Sequence, residues 1–361
     1  MPAAVKSLRH KDFLQIDKNY EQAAIAARLL YVSDRSPGIT RVRKGKGFAY
    51  LYQNKPIRDK SAIERIRKLV IPPAWINVWI CPVENGHIQA TGHDVRHRKQ
   101  YRYHALWNQL RHETKFHRLL EFGKALPHLR DKLEQDLALP GLSRDKVLAA
   151  VISLMERTYI RVGNPEYEKA NGSYGLTTLR DKHVQIQGDK VRFSFTGKKG
   201  IAQDITIRNK RLARMVQRCR DIPGQELFQF IDEAGERKPI DSGMVNDYIR
   251  TASGIDCSAK DFRTWAGSLH ALQALRSLGE AITVTEKKKN VVAALTAVSE
   301  KLGNTRTVCK KYYVHPRLIE LYEEGNLRQY QRELDKAEDN EGNNGLTAEE
   351  KVLMKILAQH C

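Results

Sequence analysis

The stretch VQIQGDKVRFSFTGKKGIAQDITI, residues 184–207, decides how the longer part of this chain is read. Apolar and polar residues alternate through 184–186 and again through 191–195, with the turn pair Gly188-Asp189 between them, which is the pattern of a β-hairpin. Gly197-Lys198-Lys199-Gly200 makes a second turn, and residues 201–207 a third strand. What surrounds this small sheet has helical spacing instead. Upstream, a polar helical connection near 105–135 leads to Ser143-Arg144-Asp145-Lys146, which opens a helix with apolar residues at Val147, Leu148, Val151, Leu154 and Met155; Gly163 is expected to end it. Downstream, helices are expected near 209–220, 242–252, 258–278, 286–302 and 307–322. A mainly helical region carrying one small hairpin sheet follows.

The first hundred residues read differently. Residues 21–31 (EQAAIAARLLY) have helical spacing, and 47–52 (GFAYLY) have strand character. Ser61 and Glu64 form a capping box before a helix with apolar Ile63, Ile66, Leu69 and Val70, stopped by Pro72-Pro73. Strands are expected at 78–83 and 88–91, separated by Asn85-Gly86. This is a small α+β unit with an antiparallel sheet, so the fold class is α+β with domains at 1–105 and 106–334. Residues 335–361 form an acidic, Asn/Gly-rich joint and a short terminal helix. No internal repeat is found.

At 361 residues the chain can bury two cores. It has 62 Lys+Arg against 42 Asp+Glu, a formal net charge of +20, which points to a polyanionic partner and first to nucleic acid, because neutralised phosphates release counterions. The charge is uneven: residues 41–68 hold ten Lys+Arg and two acids, and residues 91–118 hold seven and two, with five histidines interleaved. Tyr101, Tyr103 and Trp107 lie among them, as suits a phosphate-tracking surface; a merely solvated basic face is the alternative. No membrane-length apolar run or secretory leader is present, so a cytoplasmic, nucleoid-associated protein is expected. Five scattered cysteines without C-x-x-C spacing indicate neither a disulfide framework nor a zinc site, and Cys309 reads as a small buried thiol.

Candidate chemistry centres on TRTVCKKYYVHP, residues 305–316, where two tyrosines adjoin in a basic segment. A tyrosine that attacks a phosphodiester needs fixed cations around the pentacoordinate phosphorus, and arginine suits best because its planar fork stays charged and bonds two oxygens. The departing oxygen needs a proton donor, for which lysine serves. Arg161, Lys198, Arg263, Asn304 and Tyr313 form such a set, each beside a turn or helix end, without a metal cluster or cofactor.

Together these blocks resemble the type IB DNA topoisomerases, in the compact poxvirus-like form found in many bacteria, from about Gly38 to Pro316. The resemblance implies a catalytic domain of the tyrosine recombinase and topoisomerase IB type, acting on double-stranded DNA as a monomer without ATP or metal. It implies that Arg161 of RVG and Arg263 of KDFRTW stabilise the transition state, and that Lys198 of FTGK is the general acid for the 5′-oxygen. It makes Tyr313, nine residues after Asn304, the nucleophile, and leaves Tyr312 to pack. Gln100, Tyr101 and Tyr103 of KQYRYH, with Lys260, Gly163 and Tyr167, are implied to lie on the DNA surface.

One departure is that the viral enzymes have histidine where this chain has Asn304, and an amide can donate a hydrogen bond but cannot exchange a proton. Asn304→Ala is therefore expected to slow the reaction without abolishing it; a near-normal alanine variant would remove Asn304 from the site. Tyrosine recombinases share the chemistry, but usually carry histidine where Lys260 stands, which favours topoisomerase. A noncatalytic architectural DNA-binding protein would explain the charge but not the five residues.

Overall fold

The computed structural model describes residues 8–330 and 345–360. They form two compact units, divided after Arg118 within the long helix α4 (Ala105–Leu137). In the first unit, β1 (Ile39–Lys44), β2 (Gly47–Tyr52), β3 (Lys55–Pro56), β4 (Ile76–Ile80), β5 (Ile88–His93) and β6 (Lys99–Tyr103) make one antiparallel sheet in the order β3-β2-β1-β4-β5-β6. Helix α3 (Lys60–Lys68) contributes Ile66 to a core with Ile39, Val78, Ile80 and Ala90. A second core joins α1 (His10–Lys18) and α2 (Tyr20–Ala26) to the start of α4 through Phe13, Ile16, Ala23, Ala24, Trp107 and Leu110.

Tertiary pairing overrides two local expectations here. The helix expected over 21–31 stops at Ala26, because Leu30 turns away to exchange backbone hydrogen bonds with Asn85 and His87 at 2.8 and 2.9 Å. Arg28 takes a positive φ of 58° to make that exit. Helix α3 starts two residues earlier than a Ser61 cap requires: Asp59 is the N-cap, accepting from the Ser61 and Ala62 amides, and Ser61 lies inside the helix.

The second unit is mainly helical. Helix α5 (Arg144–Thr158), with Ser143 as N-cap, is buried on nearly every side and is its axial element. It continues through α6 (Pro165–Asn171), the antiparallel sheet β7 (Val184–Gln187), β8 (Lys190–Thr196) and β9 (Ala202–Arg208), and α7 (Lys210–Arg220). A short pair β10 (Gln229–Ile231) and β11 (Arg237–Pro239) precedes α8 (Ser242–Ser253), α9 (Ala259–Leu278), α10 (Val284–Leu302), α11 (Arg306–Tyr312), α12 (Pro316–Glu324) and a terminal helix Ala348–His360. In β8 the alternation seen in the sequence is literal: Val191, Phe193 and Phe195 are buried between exposed neighbours. The expected joint over 335–344 lies outside the described residues. Among the described residues no helix is long and apolar enough to cross a membrane.

Two helix ends differ from expectation, and both fall at the functional site. Helix α5 ends at Tyr159, in the left-handed region (φ 57°), not at Gly163. The helix expected over 307–322 is two helices with residues 313–315 between them. Pro316 supplies the reason: it has no N–H to donate and biases the residue before it towards extended backbone, and His315 has φ −64° and ψ 126°.

Candidate active site

Four of the five singled-out side chains come from four separate helix ends of the second unit and meet at one place. Arg263 is the fifth residue of α9 and is 5% exposed. Its guanidinium donates to the carbonyl of Tyr159, the residue that caps the C-terminus of α5, and to the carbonyl of Leu302, the last residue of α10, at 2.6 Å for the latter. Those carbonyls have no partner within their own helices and sit at the negative ends of the helix dipoles, so one cation ties three helices together. Arg263 Nε is buried and has no hydrogen-bond partner among the described residues. The guanidinium carbon stands 5.2 Å from the centre of the Tyr313 ring.

Arg161 follows α5 on an extended segment fixed by backbone bonds from Leu176 to Arg161 (2.9 Å) and from Thr177 to Val162 (2.7 Å). Gly163 makes that pairing possible. Its φ is +104°, and at Gly175 opposite a Cβ would come within 2.6 Å of the Gly163 backbone. Gly163 and Gly175 thus approach each other more closely than side chains would allow. Arg161 donates to Asn304 Oδ1 at 2.7 Å, while Asn304 Nδ2 donates to the Leu302 carbonyl at 3.1 Å. The amide orientation is fixed by these partners, since a guanidinium only donates and a carbonyl only accepts. One Nδ2 hydrogen is left for a ligand.

Neither arginine is paired with a carboxylate among the described residues, and the two guanidinium groups act on each other. Burial, and then the neighbouring charge of Arg263, lower the pKa of Arg161 to about 10, and the Tyr313 hydroxyl, within hydrogen-bonding reach, opposes the shift. Two cations held together against their repulsion, with no carboxylate beside them among the described residues, form a place where an anion is favoured. Cys309 beneath them is buried and its thiol pKa is raised by burial, so it stays a thiol.

Tyr313 itself stands at the corner between α11 and α12. Ser268 Oγ donates to the Tyr313 carbonyl at 3.2 Å and accepts from the His315 amide at 3.0 Å, bridging the corner. Beside it, Gly267 offers a bare backbone: a Cβ there would lie 2.6 Å from the Tyr313 carbonyl oxygen and 2.7 Å from its Cβ. Sequence reasoning missed both residues. The available signal was a glycine inside a helix, which costs about 1 kcal/mol relative to alanine and so calls for a packing reason. Tyr312 does not pack as expected: it is 44% exposed, with Lys311 over its ring at 5.2 Å.

Lys198 sits at the tip joining β8 and β9 and is exposed. The tip borders the site through Gln203 of β9, whose side chain lies against both Gly197 and Gly303. The structure gives Lys198 no hydrogen bond or ion pair among the described residues. Lys260 and Tyr167 are likewise exposed, on α9 and α6. In the first unit, Tyr101 and Tyr103 stack at 5.7 Å on the edge strand β6, Lys99 lies 5.5 Å over the Tyr101 ring, and Gln100 is tied to Asp94 at 3.0 Å. Among the described residues no group of three or more His, Cys, Asp or Glu is placed to hold a metal ion.

A family model described as the catalytic core of eukaryotic DNA topoisomerase I matches residues 104–341, and one for the N-terminal domain of bacterial DNA topoisomerase IB matches residues 47–94. DNA topoisomerase 1B of Acanthamoeba polyphaga mimivirus is 36% identical over 295 residues, which is 79% of this chain and 88% of the relative. The chain belongs to the type IB DNA topoisomerases. More distant members include DNA topoisomerase 1B of Vaccinia virus (strain Copenhagen), 22% identical over 238 residues (65% of this chain and 73% of the relative). DNA topoisomerase 1 of Rabbit fibroma virus (strain Kasza) is 24% identical over 247 residues, covering 63% and 70%. The helical second unit with its three-stranded sheet is this topoisomerase's counterpart of the family core.

The packing of this topoisomerase makes Gly267 a sensitive position. Gly267→Ala is expected to lower the relaxation rate about 10²-fold, the usual consequence of displacing a reacting group by about 1 Å. Helix content by circular dichroism should be unchanged. An alanine variant as fast as its parent would show that Tyr313 is not seated on α9.

Proposed function

We propose that this topoisomerase relaxes supercoiled duplex DNA by transient cleavage of one strand. Tyr313 Oη attacks a backbone phosphorus, the bond from phosphorus to the 5′-oxygen breaks, and a 3′-phosphotyrosyl ester forms. The phenolic proton leaves to solvent, and Lys198 gives a proton to the departing 5′-oxygen. Arg161 and Arg263 hold the nonbridging oxygens, and the remaining Nδ2 hydrogen of Asn304 adds a neutral donor. While the strand is open, torsion rotates the free end; the 5′-hydroxyl then attacks the ester and restores the strand. The ester conserves the energy of the phosphodiester, so ATP has no part in resealing, and two arginines and a lysine carry the charge that Mg²⁺ carries elsewhere.

The observation that supports this reading most is a phenol within reach of two guanidinium groups, one buried and one half-buried, that lack any carboxylate partner among the described residues. In the same reading residues 1–105 are a DNA-clamping unit that uses Gln100, Tyr101 and Tyr103, and residues 106–334 are the catalytic unit, to which Lys260, Gly163 and Tyr167 add DNA contacts. One polypeptide carries the whole set, so it acts as a monomer on nucleoid DNA in the cytoplasm.

The test is relaxation of a supercoiled plasmid in EDTA without ATP. Full relaxation, with a trapped covalent adduct mapping to Tyr313, is the expected result. Binding without relaxation would leave an architectural protein, and exchange of strands between two marked duplexes would make it a recombinase.

A further inference from the structure

The terminal helix Ala348–His360 follows the corner of Tyr313 in the chain, yet reaches the site from behind, through a single carboxylate. Glu350 is 3% exposed. Its Oε1 accepts from Arg130 of α4 at 2.7 Å and from the indole N–H of Trp265 at 3.0 Å. Its Oε2 accepts from Arg130 at 2.9 Å and from the Thr347 amide at 2.9 Å. Both oxygens are thus used twice. Arg130 is shared in turn with Glu156 of α5 at 2.8 Å and with the Gly345 carbonyl at 2.9 Å. Burial alone would raise the pKa of Glu350, but Arg130, the Thr347 amide and the Trp265 indole hold it below the usual glutamate range, so the carboxylate stays ionised.

Trp265 is the member that matters for chemistry. It lies between Arg263 and Gly267 in α9, and at about 3.6 residues per turn those two share a face while Trp265 points almost opposite. The indole is wedged against α4 at Gly123, where a Cβ would stand 2.6 Å from the ring. Any turn or slide of α9 therefore moves Arg263 and the seat of Tyr313 together, and the Trp265–Glu350 bond opposes that motion.

We propose that Glu350, acting through Trp265, is a positioning residue that sets the register of α9 and with it the placement of Arg263 and Tyr313 against Arg161 and Asn304, which stand outside α9. The proposal rests on the reading that Tyr313 and Arg263 carry the reaction. It requires the cluster to act on the rate of the chemical step and not on DNA affinity. Cleavage and religation share one transition state, so misplacing Arg263 slows both by the same factor and leaves the equilibrium adduct fraction unchanged.

The experiment compares the full-length parent with Trp265→Phe, which keeps the apolar body and removes the N–H donor, and with Glu350→Gln. Adduct formation on a supercoiled plasmid is timed with SDS quenching, and religation is timed after a jump to high salt. Trp265→Phe is expected to lower both rate constants about tenfold, the scale of one hydrogen bond to a charged group. The adduct fraction, DNA affinity and fully active fraction of enzyme should be unchanged, and Glu350→Gln should act in the same direction. Parent-like rate constants in Trp265→Phe would overturn the proposal, as would a loss confined to the active fraction, which marks a role in folding alone. An adduct that persists in Tyr313→Phe would instead refute the assigned nucleophile, so the two failures are told apart.

Discussion

Tyr313→Phe is expected to leave a plasmid fully supercoiled and to give no covalent adduct, a loss of more than about 10⁴-fold of the kind seen when a nucleophile is removed. The change deletes one oxygen and little else. The ring remains beside Arg263, and the corner is held by Ser268 through the Tyr313 and His315 backbone and seated on Gly267 at the Tyr313 carbonyl and Cβ. Binding of plasmid DNA in a filter or gel assay should therefore match the parent. Tyr312→Phe is the paired control: that tyrosine is 44% exposed and its ring faces Lys311, so its loss should change the rate little. An adduct that survives in Tyr313→Phe and vanishes in Tyr312→Phe would reverse the assignment.

The second large effect is expected at Arg263, where activity and stability should fall together. Removing a donor aimed at developing negative charge costs about 10² to 10³ in rate. Arg263→Ala also strands the carbonyl of Tyr159, at about 1–3 kcal/mol, and takes the shorter of two hydrogen bonds from the carbonyl of Leu302, which keeps Asn304 Nδ2. A clear drop in melting temperature should accompany the loss of relaxation. Arg263→Lys keeps the charge but has a single nitrogen in place of the planar fork, so it does not reproduce the geometry of both carbonyl bonds and should recover little of either property. Arg161 offers the contrast: its hydrogen bond at 2.7 Å goes to the Asn304 side chain, and Arg161→Ala should slow relaxation with a much smaller shift in melting. Equal destabilisation by the two alanine changes would contradict the bridging role of Arg263.

Much of this was open to reading from residue order. The hairpin around Gly188-Asp189 and the third strand after Gly197 stand where the alternation puts them, within a residue. Ser143 opens α5 and α9 runs where its spacing indicates, because these signals are local: a turn pair, a cap, a stripe every three or four residues. The family could be recognised because the motif residues are tied to those elements. What the sequence could not reveal was decided by partners far away in the chain. Helix α5 stops at Tyr159 where its carbonyl meets Arg263, more than a hundred positions on, and α2 stops where Leu30 pairs with the 85–87 turn. The break at Tyr313 was signalled by Pro316 but was read through as one continuous helix. Gly267 and Ser268 were passed over because their importance is to a backbone corner 45 or more residues later, which no periodicity encodes.

The double attachment of Arg263 also bears on how sequences of this architecture should be sorted. A descendant that lost its nucleophile would still be held to that arginine, since dropping it loosens three helix ends at once. Its presence in a distant chain therefore testifies to a shared scaffold, whereas a phenol retained at the corner before the proline testifies to a retained reaction.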